Sequence, residues 1–253
     1  MKLDIKQMQD IVTEMLKATV AVCEKNHITY YCQAGTVLGT VRHGGTIPWD
    51  HDADIIIPND QLDRFIECAQ RDLPDKFYVD YFKVDAKSLR QFPRIGLKGY
   101  TTNRLHLDVF RLIGLPDNKQ EQLDMVEEAH LYTNYNVLMR KPIWKLFLKG
   151  KFARILDKLT GKREAYIWKF DELCNRYPYE KANNVMNPSG KYGAKNIFAK
   201  AVYGEGKMMQ YTDFQVRIPD ETDFYLRQYY GDYMRTPDKE YIDKELNRIF
   251  NIK

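Results

Sequence analysis

Apolar positions in residues 5–23 recur at three- and four-residue spacing: Ile5, Met8, Val12, Met15, Leu16, Thr19 and Val22 fall on one face. That period predicts an amphipathic helix packed on a core. Ile28 to Gln33 is β-branched and aromatic and predicts a strand, which Ala34-Gly35-Thr36 ends. Val37 to Arg42 predicts a short helix, and His43 to Pro48 a loop. Ala53 to Ile57 is apolar enough to be a buried strand, stopped by Pro58-Asn59-Asp60, and residues 61–71 follow as a helix capped by Asn59 or Asp60. Phe77 to Val84, Arg94 to Lys98 and Leu105 to Leu112 predict three more strands. From Pro116 to about Tyr177 the pattern is helical, 178–220 is irregular, and a last helix is expected over Glu221 to Tyr230.

Strands first and helices later predict an α+β fold, a mixed β-sheet core flanked by helices with a mostly helical C-terminal lobe. At 253 residues the chain is long for one domain. We expect a catalytic core over 1–135 and a helical accessory lobe over 136–253 that closes the site. With 44% hydrophobic and 29% charged residues, the composition is that of a globular protein and excludes a disordered chain. No apolar run approaches the roughly 18–20 residues of a membrane span, and residues 1–7 lack a signal-peptide core. Cys23, Cys32, Cys68 and Cys174 are dispersed, which argues against a disulfide framework and suits a reducing cytoplasm. The net charge of +4 is uneven. Arg140 to Arg163 holds six Lys, three Arg and one Asp, leaving 30 basic and 34 acidic residues elsewhere. Basic charge confined to one segment does not suggest a nucleic-acid binder.

Candidate chemistry concentrates at Asp50, Asp52 and Asp54, which alternate as a buried strand begins. Alternation puts Asp52 and Asp54 on one side. Two adjacent carboxylates repel unless a cation lies between them, and hard oxygen donors suit one or two Mg²⁺ ions, with Mn²⁺ an alternative. Asp108 adds a third carboxylate from the strand His106-Leu107-Asp108-Val109-Phe110. Such a set can clamp the oxygens of an in-line phosphoryl transfer. Gly35 and Thr36 would offer backbone N–H groups and a hydroxyl to a phosphate at a helix start. Caps and turn residues are the plainer account of any one of these aspartates. His51 reads equally as a metal contact or a loop residue, and Arg42 as a bidentate phosphate contact or a surface ion pair.

These residues stand as Gly35-Thr36-Val37-Leu38-Gly39-Thr40-Val41-Arg42, then Ile47-Pro48-Trp49-Asp50-His51-Asp52-Ala53-Asp54, with Leu107-Asp108-Val109-Phe110 later. The run resembles the LicD family of phosphocholine and related phospho-group transferases, which includes fukutin-like proteins. Val216-Arg217-Ile218-Pro219 and Tyr230-Gly231-Asp232-Tyr233-Met234 resemble its closing segment. The resemblance implies a nucleotidyltransferase-like core with Mg²⁺ on Asp52, Asp54 and Asp108. It implies a CDP-linked alcohol donor such as CDP-choline, transfer to a sugar hydroxyl of a cell-surface polysaccharide precursor, and release of CMP. His51 departs from the family pattern, which has an acidic residue there. Gly35, Thr36, Gly39, Arg42, Asp50, His51, Arg94, Lys98 and Tyr230 are the expected substrate-binding positions. Arg94 and Lys98 would meet donor phosphates or, equally, surface carboxylates. Tyr230, among Tyr225, Tyr229 and Tyr233, would meet a quaternary ammonium or simply pack.

Residues 140–163 read as a basic amphipathic helix, either docked on the core or lying on the inner membrane face beside a lipid-linked acceptor. The loop Pro188 to Gly193 reads as a lid or a connection. Two rival functions differ in their products or lack one: a nucleotidyltransferase moving NMP from an NTP, and a silent glycan- or membrane-binding module.

Overall fold

The computed structural model describes residues 3–140, 156, 157 and 159–250. Most of the expected membrane-facing segment, 141–155 with Ile143, Trp144, Leu146 and Phe147, lies outside the described residues. The fold is α+β, as the pattern predicts.

Helix α1 (Ile5–Lys25) starts on a capping box, in which Asp4 accepts from the Gln7 N–H while the Gln7 side chain accepts from the Asp4 N–H. Its buried stripe of Met8, Val12, Met15, Leu16, Thr19 and Val22 lies against the sheet and helix α3 (Leu62–Asp72). Strand β1 (Tyr31–Cys32) is much shorter than the expected strand and leads through a tight turn into α2 (Gly35–His43).

The sheet runs β1–β2–β5–β4–β3, with β2 (Ala53–Pro58) and β5 (His106–Leu115) parallel and central. Strands β3 (Phe77–Asp80) and β4 (Arg94–Leu97) complete one side by antiparallel pairing. Ile55, Ile57, Leu107 and Val109 are fully buried. The β2–β5 register aligns Asp54 with Asp108, and the β4–β5 register aligns Arg94 with Asp108. One row across three strands therefore carries two carboxylates and a guanidinium.

Helices α4 (Lys119–Arg140) and α5 (Lys162–Cys174) pair and enclose a second cluster with Ile113, Leu115, Met125, Phe170 and Leu173. Arg111, 2% exposed, ties this pair to the sheet by donating to Asp171 Oδ1 and to Asn59 Oδ1, each at 2.7 Å.

The stretch 178–220 is more ordered than expected. Strands β6 (Asn184–Met186) and β7 (Ile197–Ala199) extend the main sheet from the end of β5, and β8 (Lys207–Tyr211) and β9 (Phe214–Ile218) form a hairpin. Short helix α6 (Lys200–Tyr203) precedes the hairpin. Helix α7 (Thr222–Tyr230) matches the expected last helix, and a further helix, α8 (Lys239–Phe250), follows it. Ile242, Leu246 and Ile249 recur at four and three residues, and Asp238 caps the start by accepting from the Tyr241 N–H, so α8 carries an ordinary helix signal.

Candidate active site

A cleft of about 460 Å³ opens at the N-terminal end of α2 and the start of β2. Asp50, Asp52, Asp54 and Asp108 line one side. Arg42, Lys191, Arg235 and Arg248 bring positive charge to the lining, with Trp49, Phe110, Tyr192, Tyr230 and Tyr241 as its aromatic surface.

The carboxylates are crowded in a way that costs free energy. Burial, then the charge of Asp50, pushes Asp52 up to about 7. Asp54 is raised well above the usual carboxylate range by burial and by Asp52, Asp108 and Asp50 in turn. Arg94 partly offsets this: its Nε lies 2.6 Å from Asp108 Oδ1 and its Nη2 donates to Oδ2 at 3.3 Å. Its Nη1 donates to the Thr102 carbonyl at 2.7 Å.

His106 and His51 fill the space beside the acids, 6% and 5% exposed. Burial lowers both, His106 to about 4, so the rings are neutral at pH 7. The Nδ1 atoms of both rings are enclosed without a hydrogen-bond partner. One ligand atom each from Asp50, His51 and Asp52 lies within 4.8 Å of the others. Crowded carboxylates, unpartnered imidazole nitrogens and hard oxygen donors together fit a divalent cation.

The turn into α2 is held from far along the chain. Ala34 has φ 45° and ψ −110°, a conformation costly for a residue with a Cβ. Its N–H donates to the Tyr225 hydroxyl at 2.9 Å, and that hydroxyl donates to Gln33 Oε1 at 2.7 Å. Gln33 Nε2 donates to Tyr229, whose hydroxyl donates to Asn196 at 3.1 Å. α7 thus aims the start of α2 into the cleft. Gln9 of α1 donates to the carbonyls of Ile47, Pro48 and Asp50 and so fixes the loop before β2.

The family model described as LicD/FKTN/FKRP, nucleotidyltransferase domain, matches residues 27–143. Residues 27–143 are a LicD-family nucleotidyltransferase domain. The LicD lipopolysaccharide cholinephosphotransferase of Haemophilus influenzae is 23% identical over 254 aligned positions, covering 94% of each chain. The ribitol 5-phosphate transferase FKRP of Homo sapiens is 40% identical over 42 residues, 17% of this chain and 8% of that protein. An uncharacterized protein of Rickettsia typhi is 37% identical over 73 residues, 26% of this chain and 24% of that protein.

Around the cleft the expected residues separate. Gly35, Arg42, Asp50, Asp52, Asp54 and Asp108 line the cleft, as does Tyr230 from α7. Thr36 lies outside the cleft lining: it is 6% exposed, its hydroxyl accepts from the Asp54 N–H at 2.8 Å and its own N–H donates to Gln33. It fixes the start of β2 against the start of α2. Gly39 also stands back. A Cβ there would meet the Gly45 carbonyl oxygen at 2.4 Å, so glycine is needed for the close approach of the loop. Arg94 sits behind Asp108 as an ion-pair partner, and Lys98 is exposed past the end of β4, outside the cleft lining. Arg42 Nη1 donates to the Tyr233 carbonyl at 2.8 Å and its guanidinium lies over Trp49. Tyr225 and Tyr229 are core residues, while Tyr230 and Tyr192 meet edge to face at 6.1 Å in the cleft. The loop carrying Lys191 is tied down, because Asn196 Nδ2 donates to the carbonyls of Gly190 and Gly193. Arg235, Tyr241, Glu245 and Arg248 are cleft residues that the sequence reading missed. The period of α8 could have revealed the helix, but not that it borders the cleft.

Proposed function

We propose that this chain is a metal-dependent phospho-alcohol transferase that moves a phosphoalcohol group from a CDP-linked donor to a sugar hydroxyl of a glycan precursor, releasing CMP. The observation that carries it is the row Asp54–Asp108–Arg94 beside Asp52, bordering a cleft that also gathers Arg42, Lys191, Arg235, Arg248 and aromatic side chains. Asp52, Asp54 and Asp108 would hold Mg²⁺, which when bound supplies charge neutralisation at the pyrophosphate. Arg94 holds both oxygens of Asp108, so Asp108 serves as a fixed ligand and not as a mobile base. The start of α2 at Gly35 and the side chains of Lys191, Arg235 and Arg248 orient the donor phosphates. Tyr192 and Tyr230 offer ring faces and edges to the alcohol, and phosphocholine, with its quaternary ammonium, suits them best. Catalysis on this reading is positioning and charge stabilisation.

The Haemophilus influenzae relative, which matches over almost the whole length, supports a choline-phosphate donor and a glycan acceptor. No helix among the described residues is long and apolar enough to cross a membrane. The basic segment 140–163, with exposed Leu156 and Leu159, would favour an anionic membrane face near a lipid-linked acceptor. A panel of CDP-alcohols with Mg²⁺ and a glycan acceptor, followed by CMP release, tests the proposal. Turnover with CDP-choline, lost in soluble, folded Asp52→Asn and Asp54→Asn, is expected. Pyrophosphate release from an NTP, or undiminished turnover in either variant, would overturn it.

A further inference from the structure

Beside the Asp52–Asp54–Asp108 set lies a second group of donors, of which Asp50 and Asp52 line the cleft and His51 is buried just behind the lining. Single ligand atoms of Asp50, His51 and Asp52 lie within 4.8 Å of one another. Donors on a small octahedral ion stand about 3.0 Å apart when adjacent and about 4.2 Å when opposite. Closing this group on an ion therefore takes movements of roughly an ångström or less.

Gathered carboxylates alone would mean little. His51 is the independent observation. The residue is 5% exposed, and its Nδ1 is enclosed by protein with no hydrogen-bond partner. That nitrogen lies 3.9 Å from Asp50 Oδ1, close to the carboxylate yet beyond hydrogen-bond reach. Leaving a buried polar atom unpaired costs about 1–3 kcal/mol, and a bound cation would remove that cost. The backbone assists: the His51 N–H donates to Asp50 Oδ1 at 2.9 Å, which holds the Asp50 carboxylate on the side of the ring.

We propose that Asp50, His51 and Asp52 form a divalent-cation site with one nitrogen and two oxygen donors, next to the all-carboxylate site and sharing Asp52 with it. This deepens the transferase reading and rests on it for the neighbouring ion. An imidazole nitrogen shifts preference away from Mg²⁺ towards Mn²⁺, Co²⁺ and Zn²⁺, because Mg²⁺ favours oxygen.

Mn²⁺ is the probe. The full-length protein, stripped with chelator, is titrated with Mn²⁺; electron paramagnetic resonance counts bound ions and its pulsed form reads coordinated nitrogen. The expected wild-type spectrum contains a directly bound ¹⁴N. His51→Asp keeps Mn²⁺ bound and loses the nitrogen signal, whereas His106→Asn keeps the signal. His51→Asn weakens Mn²⁺ at this site about tenfold or more, at least the loss seen when a metal ligand's supporting partner is removed. Wild-type Mn²⁺ without nitrogen coupling, a coupling that survives His51→Asp, or no Mn²⁺ binding overturns the site. CMP release is read separately. Nitrogen coupling without turnover of any CDP-alcohol keeps the site and rejects the transferase. Turnover without coupling does the reverse.

Discussion

Arg94→Met isolates the charge that holds the acidic row together. Methionine keeps much of the stem and deletes the guanidinium. Asp108, with its side chain 9% exposed, then faces Asp54 with no cation opposite it, and the Thr102 carbonyl loses its donor. Breaking a buried pair by removing one partner costs about 3–5 kcal/mol. Arg94 keeps 14% side-chain exposure, which puts this pair at the lower end, about 3 kcal/mol. For a chain of this size each kcal/mol shifts the melting temperature by about 2–4 °C, so the expected loss is about 6–12 °C in chelator. A divalent ion on Asp54 and Asp108 restores positive charge to the row, so saturating Mg²⁺ should cut the loss to less than half. Arg94→Met combined with Asp108→Asn should recover most of the chelator-state loss, since the stranded charge is gone. Differential scanning fluorimetry of the three proteins, with and without Mg²⁺, makes the comparison. Equal melting temperatures for wild type and Arg94→Met in chelator, or an undiminished loss in Mg²⁺, would refute the charge-compensation argument.

Other outcomes follow from neighbouring groups. Asp52 has a folded-state pKa of about 7, above the unfolded carboxylate value, so its contribution is present below about pH 4 and is lost as the pH rises through 7. Metal-free wild type should therefore lose more stability across that range than Asp52→Asn, as read by melting temperature against pH. Asp171→Ala strands the buried Arg111 guanidinium and should cost about 3–5 kcal/mol in urea unfolding, while Arg111→Met with Asp171→Leu should recover most of it. Gly39→Ala drives a methyl group into the Gly45 carbonyl and should cost about 1–3 kcal/mol, with reduced turnover because the displaced loop carries Asp50.

The central strands were legible because their periodicity is long and unambiguous. The apolar run of β2 and the alternation around Asp108 define which side the carboxylates take. The family likeness added the order of the motifs. Pairing was not legible: nothing local in Arg94 says that its register partner is Asp108, because register is a tertiary outcome. The same limit hid the bond in which the Thr36 hydroxyl accepts from a backbone N–H eighteen residues away. Strands β6 and β7, of three residues each, are too short to show a period, and their partners lie far back in the chain. Tyr225 and Tyr230 share a helix and a residue type; only the packing around them makes one a core anchor and the other a cleft wall.

The anchoring of Ala34 by Tyr225 has a consequence for the protein as it is made. The hydrogen bond between Gln33 and Tyr225 spans 192 residues. A ribosome adding about 5–20 residues per second needs roughly 10–40 s to cover that interval. A nascent chain can lay down β2 and β5 early, yet the turn into α2 stays unanchored until Tyr225 has been made. Chains that stop before Tyr225 should thus lack the strained Ala34 turn that aims the start of α2.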